Sequence, residues 1–131
     1  MIRAALTTLA VLAAAPCLAQ PVEVPSGQQV EYVEVIRDAR GPRGLTWRFR
    51  FVAPAIKRKG TDEDFSRTAA DMDHLCAHFA LPRLPALEPR PNQIIISLSD
   101  RPVEFGTANP EITQFFEAYK VEAGTCIWDG F

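Results

Sequence analysis

The sequence predicts an α+β fold: an antiparallel sheet of about four to five strands, one main helix packed on one face, and one disulfide. Three observations predict it. Only residues 61–82 (TDEDFSRTAADMDHLCAHFALP) carry a long helical period. Residues 45–51 and 94–98 instead alternate apolar and polar side chains, the period of a half-buried strand. Of the three cysteines, one lies in an apolar leader, so two, Cys76 and Cys126, remain to pair.

The leader comes first in the chain. Met1, Ile2 and Arg3 make a short basic start, residues 4–15 are an Ala- and Leu-rich apolar run, and Cys17, Leu18 and Ala19 put small residues at the −3 and −1 positions of a cleavage site. This is the pattern of a secretory signal peptide over residues 1–19, and the run is too short to span a bilayer. Pro16 stands where a lipid-attachment site wants Gly or Ala before its cysteine, which argues against a lipoprotein. Removing 19 of 131 residues leaves 112, enough for one small domain, with 13 basic residues against 16 acidic ones and a net charge of −3. That balance excludes the strongly basic face that nucleic acid requires. No second apolar run is long enough for a transmembrane segment, so the mature chain is expected to be a soluble exported protein. In an oxidising compartment Cys76 and Cys126 read as a disulfide closing a loop of about 50 residues, worth roughly 4 kcal/mol in the chain-entropy model. A reactive or metal-binding thiol pair is the rival reading; the wide spacing and the lack of a C-x-x-C speak against it.

Residues 20–29, with Pro21, Pro25 and Gly27, form an extended arm ahead of a single domain at 30–131. Residues 30–37 (VEYVEVIR) are rich in β-branched residues and read as a strand of imperfect alternation, with Val30, Tyr32 and Ile36 on one face and Val33 and Val35 on the other. Residues 38–44 (DARGPRG) read as a longish turn to the clearest strand, LTWRFRF at 45–51. In the helix, Thr61 is the expected N-cap with Asp64 at the capping-box position, and Asp62, Glu63 and Asp64 crowd the first turn, where the helix dipole favours negative charge. Pro82 is the expected stop, pushing Leu81 out of the helical region. Phe65, Ala69, Met72, Leu75, Cys76 and Phe79 form the apolar stripe, and Arg67, Asp71, His74 and His78 face water on the other side. A loop at 83–92 and a strand through Ile94, Ile96 and Leu98 follow, with a further strand or strand edge at 103–105. Asn109 and Pro110 look like a helix start, giving one or two turns to Phe116. A hairpin through Tyr119, Gly124 and Trp128 closes the chain. The expected core is Trp47, Phe49, Ile96, Phe116 and Trp128.

The stretches IIISLSDRPVEFG at 94–106, QFFEAY at 114–119 and CIWDGF at 126–131, with RFRFVAP at 48–54 and DMDHLC at 71–76, resemble a family of small exported proteins of unknown function from alphaproteobacteria, chiefly the rhodobacters. The resemblance covers nearly the whole mature chain. It implies a Gram-negative periplasm and a single domain, and no activity.

Two surfaces merit a chemical reading. His74 and His78, four apart on a helix, with Asp71 on the same face, have the spacing of a metal site. The H-E-x-x-H arrangement of metalloproteases is absent because Leu75 follows His74, and the plainer reading is a solvated face with weak charge pairs. Arg48 and Arg50 on the outer face of their strand, with Lys57, Arg58 and Lys59 nearby, make a basic patch for an anionic partner; the plainer reading is ordinary surface charge guarding an exposed sheet. No G-x-S-x-G elbow, phosphate loop or paired carboxylate stands out, and no cofactor is implied. The expected function is therefore a non-enzymatic periplasmic binding or accessory module with a periplasmic protein partner. The alternatives are a metal-binding or metal-dependent hydrolytic protein using Asp71, His74 and His78, and a structural envelope protein that pairs through its sheet.

Overall fold

The computed structural model describes residues 20–130 and, ahead of them, residues 2, 4, 5 and 8–11; the leader expected at 1–19 lies mostly outside the described residues. Six strands form one sheet in the order in which they occur in the chain: β1 (Gln20–Pro21), β2 (Glu31–Gly41), β3 (Gly44–Val52), β4 (Gln93–Ser99), β5 (Gln114–Glu122) and β6 (Thr125–Trp128). Four of the five pairings are antiparallel, but β3 and β4 run parallel, from Thr46 opposite Gln93 to Val52 opposite Ser99. The expectation of a purely antiparallel sheet of four to five strands is corrected on both counts. The reason is the helix between them: the chain leaves the end of β3, returns through the helix, and must start β4 at the end where β3 started.

β3 and β4 are the central strands and are covered on both faces. Phe49, Phe51, Ile94, Ile96 and Leu98 are buried on the helix side, and Thr46, Arg50, Gln93, Ser97 and Ser99 on the other. β2 solves its uneven apolar pattern with two bulges, one between Tyr32 and Glu34 and one between Ile36 and Ala39. The first bulge lets Tyr32, opposite Phe51, and Val35, opposite Phe49, both join the core, so Ile36 lies on the face opposite Tyr32, not beside it. The turn to β3 is also tighter than the sequence suggests. Gly41 pairs with Gly44 across Pro42 and Arg43, and Gly44 takes φ +95, a conformation open to glycine.

α1 (Asp62–His74) begins as expected: Asp64 N–H donates to the Thr61 hydroxyl, and the Asp64 carboxylate accepts from Thr61 N–H. It does not stop at Leu81. A π-helical turn, Leu75–Ala80, and a 3₁₀ turn, Leu81–Arg83, carry it past Pro82, and Leu81 keeps helical dihedrals. The wide turn accommodates the proline ring, which would otherwise press on the carbonyl four residues back. The true stop is Pro85, which forces Leu84 into extended backbone at ψ 144. The helix packs on the sheet through Met72, Leu75, Cys76, Phe79 and Ala80. Phe79 sits among Tyr32, Phe49 and Phe51, with ring centroids 4.7, 6.4 and 5.2 Å away.

The last third departs most from expectation. Residues 103–105 form no strand, and Asn109 starts only a single turn, closed by Ile112 N–H on its carbonyl at 3.1 Å. β5 then begins at Gln114, because pairing along all of β4 outweighs a local helix signal. Alternation along β5 sends Phe115 and Tyr119 to the helix side and Phe116 outward, so Phe116 is 40% exposed; Trp128, on the edge strand, is 63% exposed. Neither belongs to the core, whereas Phe49 and Ile96 do, and Trp47 packs partly buried against it. The Cys76–Cys126 disulfide is present, with Cα atoms 6.2 Å apart, and joins the helix to β6.

Tyr119 is buried, and its hydroxyl donates to Asp73 Oδ1 at 2.7 Å. Burial, and then the bond to Asp73, push its phenol far above the ordinary 10.0. A folded-state pKa above the unfolded one gives stability that is complete below about pH 10 and declines above it, by about 1.4 kcal/mol per pH unit. Urea midpoints of Tyr119→Phe between pH 9 and 11 are expected to fall less steeply than those of the parent, at a cost of about 1 kcal/mol at pH 7 for the lost hydrogen bond. Equal slopes would show that Tyr119 is not the group responsible.

Candidate functional site

The helix surface does not group Asp71 with the histidines as one solvated face. Asp71 is fully buried, and its carboxylate accepts from Ser26 N–H at 2.9 Å, from the Ser26 hydroxyl and from Gln28 Nε2. It anchors the arm that precedes β2, whose Val24 is buried in the core. His74 is half-buried and His78 exposed, and their rings lie 4.3 Å apart, tilted by 31°. Among the described residues no group of three or more His, Cys, Asp or Glu is placed to hold a metal ion.

The five basic residues also separate. Arg58 donates to the carbonyls of Pro110 and Ile112, fastening the lead into α1 to the turn before β5. Lys57 and Lys59 are exposed. Lys57 lines a depression of about 370 Å³ at the start of the helix with Ser26, Gln28, Asp64 and Phe65, where Ser26 and Gln28 are engaged with Asp71, and Asp64 with Thr61. Arg48 and Arg50 stand alone together on the sheet face opposite the helix, because residues two apart on β3 point the same way.

Their environments differ. Arg50 is buried, ion-paired to Glu34 on β2, and donates to the Val103 carbonyl. Arg48 has no ion pair among the described residues, and its Nε is closed off from solvent with no hydrogen-bond partner. A buried donor left unsatisfied costs about 1–3 kcal/mol. Part of that is offset by two aromatic rings: the Arg48 guanidinium lies 5.2 Å from the Phe116 ring centroid and 5.6 Å from that of Phe105. Burial, and then the adjacent Arg50, lower the Arg48 pKa from its usual value, although a guanidinium keeps its charge at any physiological pH.

Arg48 and Arg50 line a depression of about 330 Å³ with Ser97, Glu104, Phe105, Gln114 and Phe116. A second one, of about 350 Å³, shares Arg50, Glu104 and Phe105, so the 102–106 loop lies across the sheet face between the two. Phe105 is 51% exposed at the tip of a turn closed by Thr107 N–H on the Glu104 carbonyl, with Gly106 at φ +83. Such an arrangement, a cation with donors to spare between half-exposed rings, can receive an anion; it offers no nucleophile paired with a base. Sequence reasoning placed Arg48 and Arg50 on one outer face but missed Phe105, Phe116, Glu34 and the Ser26 and Gln28 contacts. The alternation of Phe115 with Phe116 was the available signal for the second ring.

The fold and site define a disulfide-linked α+β domain with an arginine–aromatic depression on the sheet face away from its helix. The chain belongs to the DUF6497 family, a family of unknown function, whose model matches residues 5–131. Neither the curated proteins nor the solved structures contain a match.

Proposed function

We propose that the protein is an exported, non-enzymatic binding module of an alphaproteobacterial periplasm, and that its binding face is the sheet surface around Arg48. The observation that carries the reading is the Arg48 guanidinium, which has a buried, partnerless Nε and lines an open depression. Export is supported by the signal-peptide pattern at 1–19, by the Cys76–Cys126 pair, and by the finding that no described helix is long and apolar enough to cross a membrane. The test is photo-crosslinking in the intact envelope from position 108 on the rim of the depression, with position 77 on the exposed helix surface as the control. Adducts are read by intact mass, so that proteins and small molecules both register. A discrete adduct at 108, absent at 77 and lost in Arg48→Gln, is expected; an adduct pattern indifferent to Arg48 would sink the reading.

A second reading places a metal ion on the helix surface at His74 and His78, favoured by their 4.3 Å ring separation, with Asp71 as the third group the sequence suggests. It requires Asp71 to leave Ser26 and Gln28, or solvent to take its place. Stoichiometric metal that disappears in His74→Ala would support it, and metal-free protein of unchanged stability would remove it.

A further inference from the structure

We infer that the Arg48 depression takes a small organic monocarboxylate with a flat apolar body; this rests on the binding face proposed above and names its ligand class. Arg50 is already ion-paired to Glu34 and bonded to the Val103 carbonyl, which leaves Arg48 as the lining cation with no ion pair among the described residues. Glu104 lines the same depression and is exposed, so a dianion such as phosphate meets repulsion that a monoanion meets less. A guanidinium presents its N–H groups as a planar fork that matches the two oxygens of a carboxylate, and the unsatisfied Nε supplies a donor for one of them.

The walls then specify the rest of the molecule. Phe105 and Phe116 are 51% and 40% exposed, unusually open for rings that also hold a cation, and a flat apolar body laid against them removes that surface from water. Ser97 and Gln114 add neutral polar groups to the lining. A volume of about 330 Å³ lies at the small end of ligand sites, which suits a compact acid rather than a long chain. Nε itself is closed off from solvent, and Phe105 stands beside the guanidinium on an exposed turn, so rotation of its side chain is the movement that would admit the carboxylate.

The probe is phenylacetate, titrated into ¹⁵N-labelled protein while the Arg48 Nε–H resonance is followed. Saturable movement of that resonance is expected, with phenylacetate binding about fivefold or more tighter than acetate, since burying a ring adds apolar contact. Phenylacetamide, the same shape without the charge, is expected to leave the resonance in place, and inorganic phosphate to bind more weakly than phenylacetate. Arg48→Gln should abolish binding. Phe105→Ala, on an exposed turn outside the core, should narrow the advantage of phenylacetate over acetate, with Phe116 left as the remaining ring. Equal binding of phenylacetamide, tighter binding of phosphate, or binding that survives Arg48→Gln would overturn the inference. Arg48-dependent adducts at position 108 without carboxylate binding would overturn the ligand class and leave the binding face standing; loss of both would remove both.

Discussion

Loss of the Cys76–Cys126 bond is expected to take about 4 kcal/mol from the folded state. The two cysteines are 50 residues apart, and a cross-link of that span restricts the unfolded chain by about that much in the chain-entropy model. The folded side adds to the effect. β6 is a four-residue edge strand paired only to β5, and Cys126 is its covalent tie to the helix. Net stabilities of domains this size run to about 5–15 kcal/mol, so the bond supplies a large share. The comparison is between parent and Cys76→Ala/Cys126→Ala in urea, where a slope of about 2 kcal/mol/M turns the loss into a midpoint about 2 M lower. Alanine is the right replacement because Cys76 is fully buried among apolar residues and a serine hydroxyl would add its own penalty. Amide exchange should show β6 opening first. Coincident midpoints would mean that packing alone holds the edge strand.

Asp71→Ala is expected to be the most damaging change to a polar side chain, at about 3 kcal/mol. Three donors converge on a carboxylate with no solvent exposure, and bonds to a charged acceptor are worth about 1.5–3 kcal/mol each, with losses that do not add fully. Alanine strands Ser26 N–H and Gln28 Nε2 beside the helix. The damage should begin locally: Val24 and Val30 are buried where the arm returns to the sheet, held by Val22 N–H on the Val30 carbonyl at 2.9 Å. Hydrogen exchange at residues 22–30 should rise before global unfolding, and Tm should drop by about 12–24 °C at 4–8 °C per kcal/mol. Asp71→Asn keeps the shape and should lose about half as much, since one oxygen acceptor survives. Unchanged protection of the arm in Asp71→Ala would show that apolar contacts alone hold it.

Local signals in the sequence translated well. Thr61 and Asp64 announced a capping box because both partners lie within four residues, and LTWRFRF announced a strand because its alternation is strict. The disulfide followed from a count of two. What failed required knowledge of neighbours. Asp71 falls on the polar side of the helix by periodicity, yet the arm folds over that side and buries it. Phe116 looks like core by composition, yet its register with Ser97 turns it to the outer face. Pro82 reads as a stop, but one widened turn absorbs it, and Pro85, assigned to the following loop, ends the helix. The parallel pairing was within reach, since a strand, a helix of some twenty residues and another strand in succession form a crossover unit. The Arg48 site was half legible: the strand alternation gave the two arginines their common face, and nothing short of tertiary structure showed that Glu34 satisfies only one of them.

The strand order has a consequence for how the molecule is made. Spatial order equals chain order from β1 to β6, so for a polypeptide delivered from its N-terminal end, each new strand after the first meets a neighbour already delivered. Nothing waits on an insertion between strands laid down earlier, and the one long excursion, from β3 to β4, is spanned largely by a helix that forms from local contacts. The covalent bond is the exception to this vectorial assembly. Cys76 arrives with the helix, but its partner arrives 50 residues later, on the last strand of the sheet. The bond can therefore close only when β6 has been delivered, and it ties the last strand to a helix laid down before it.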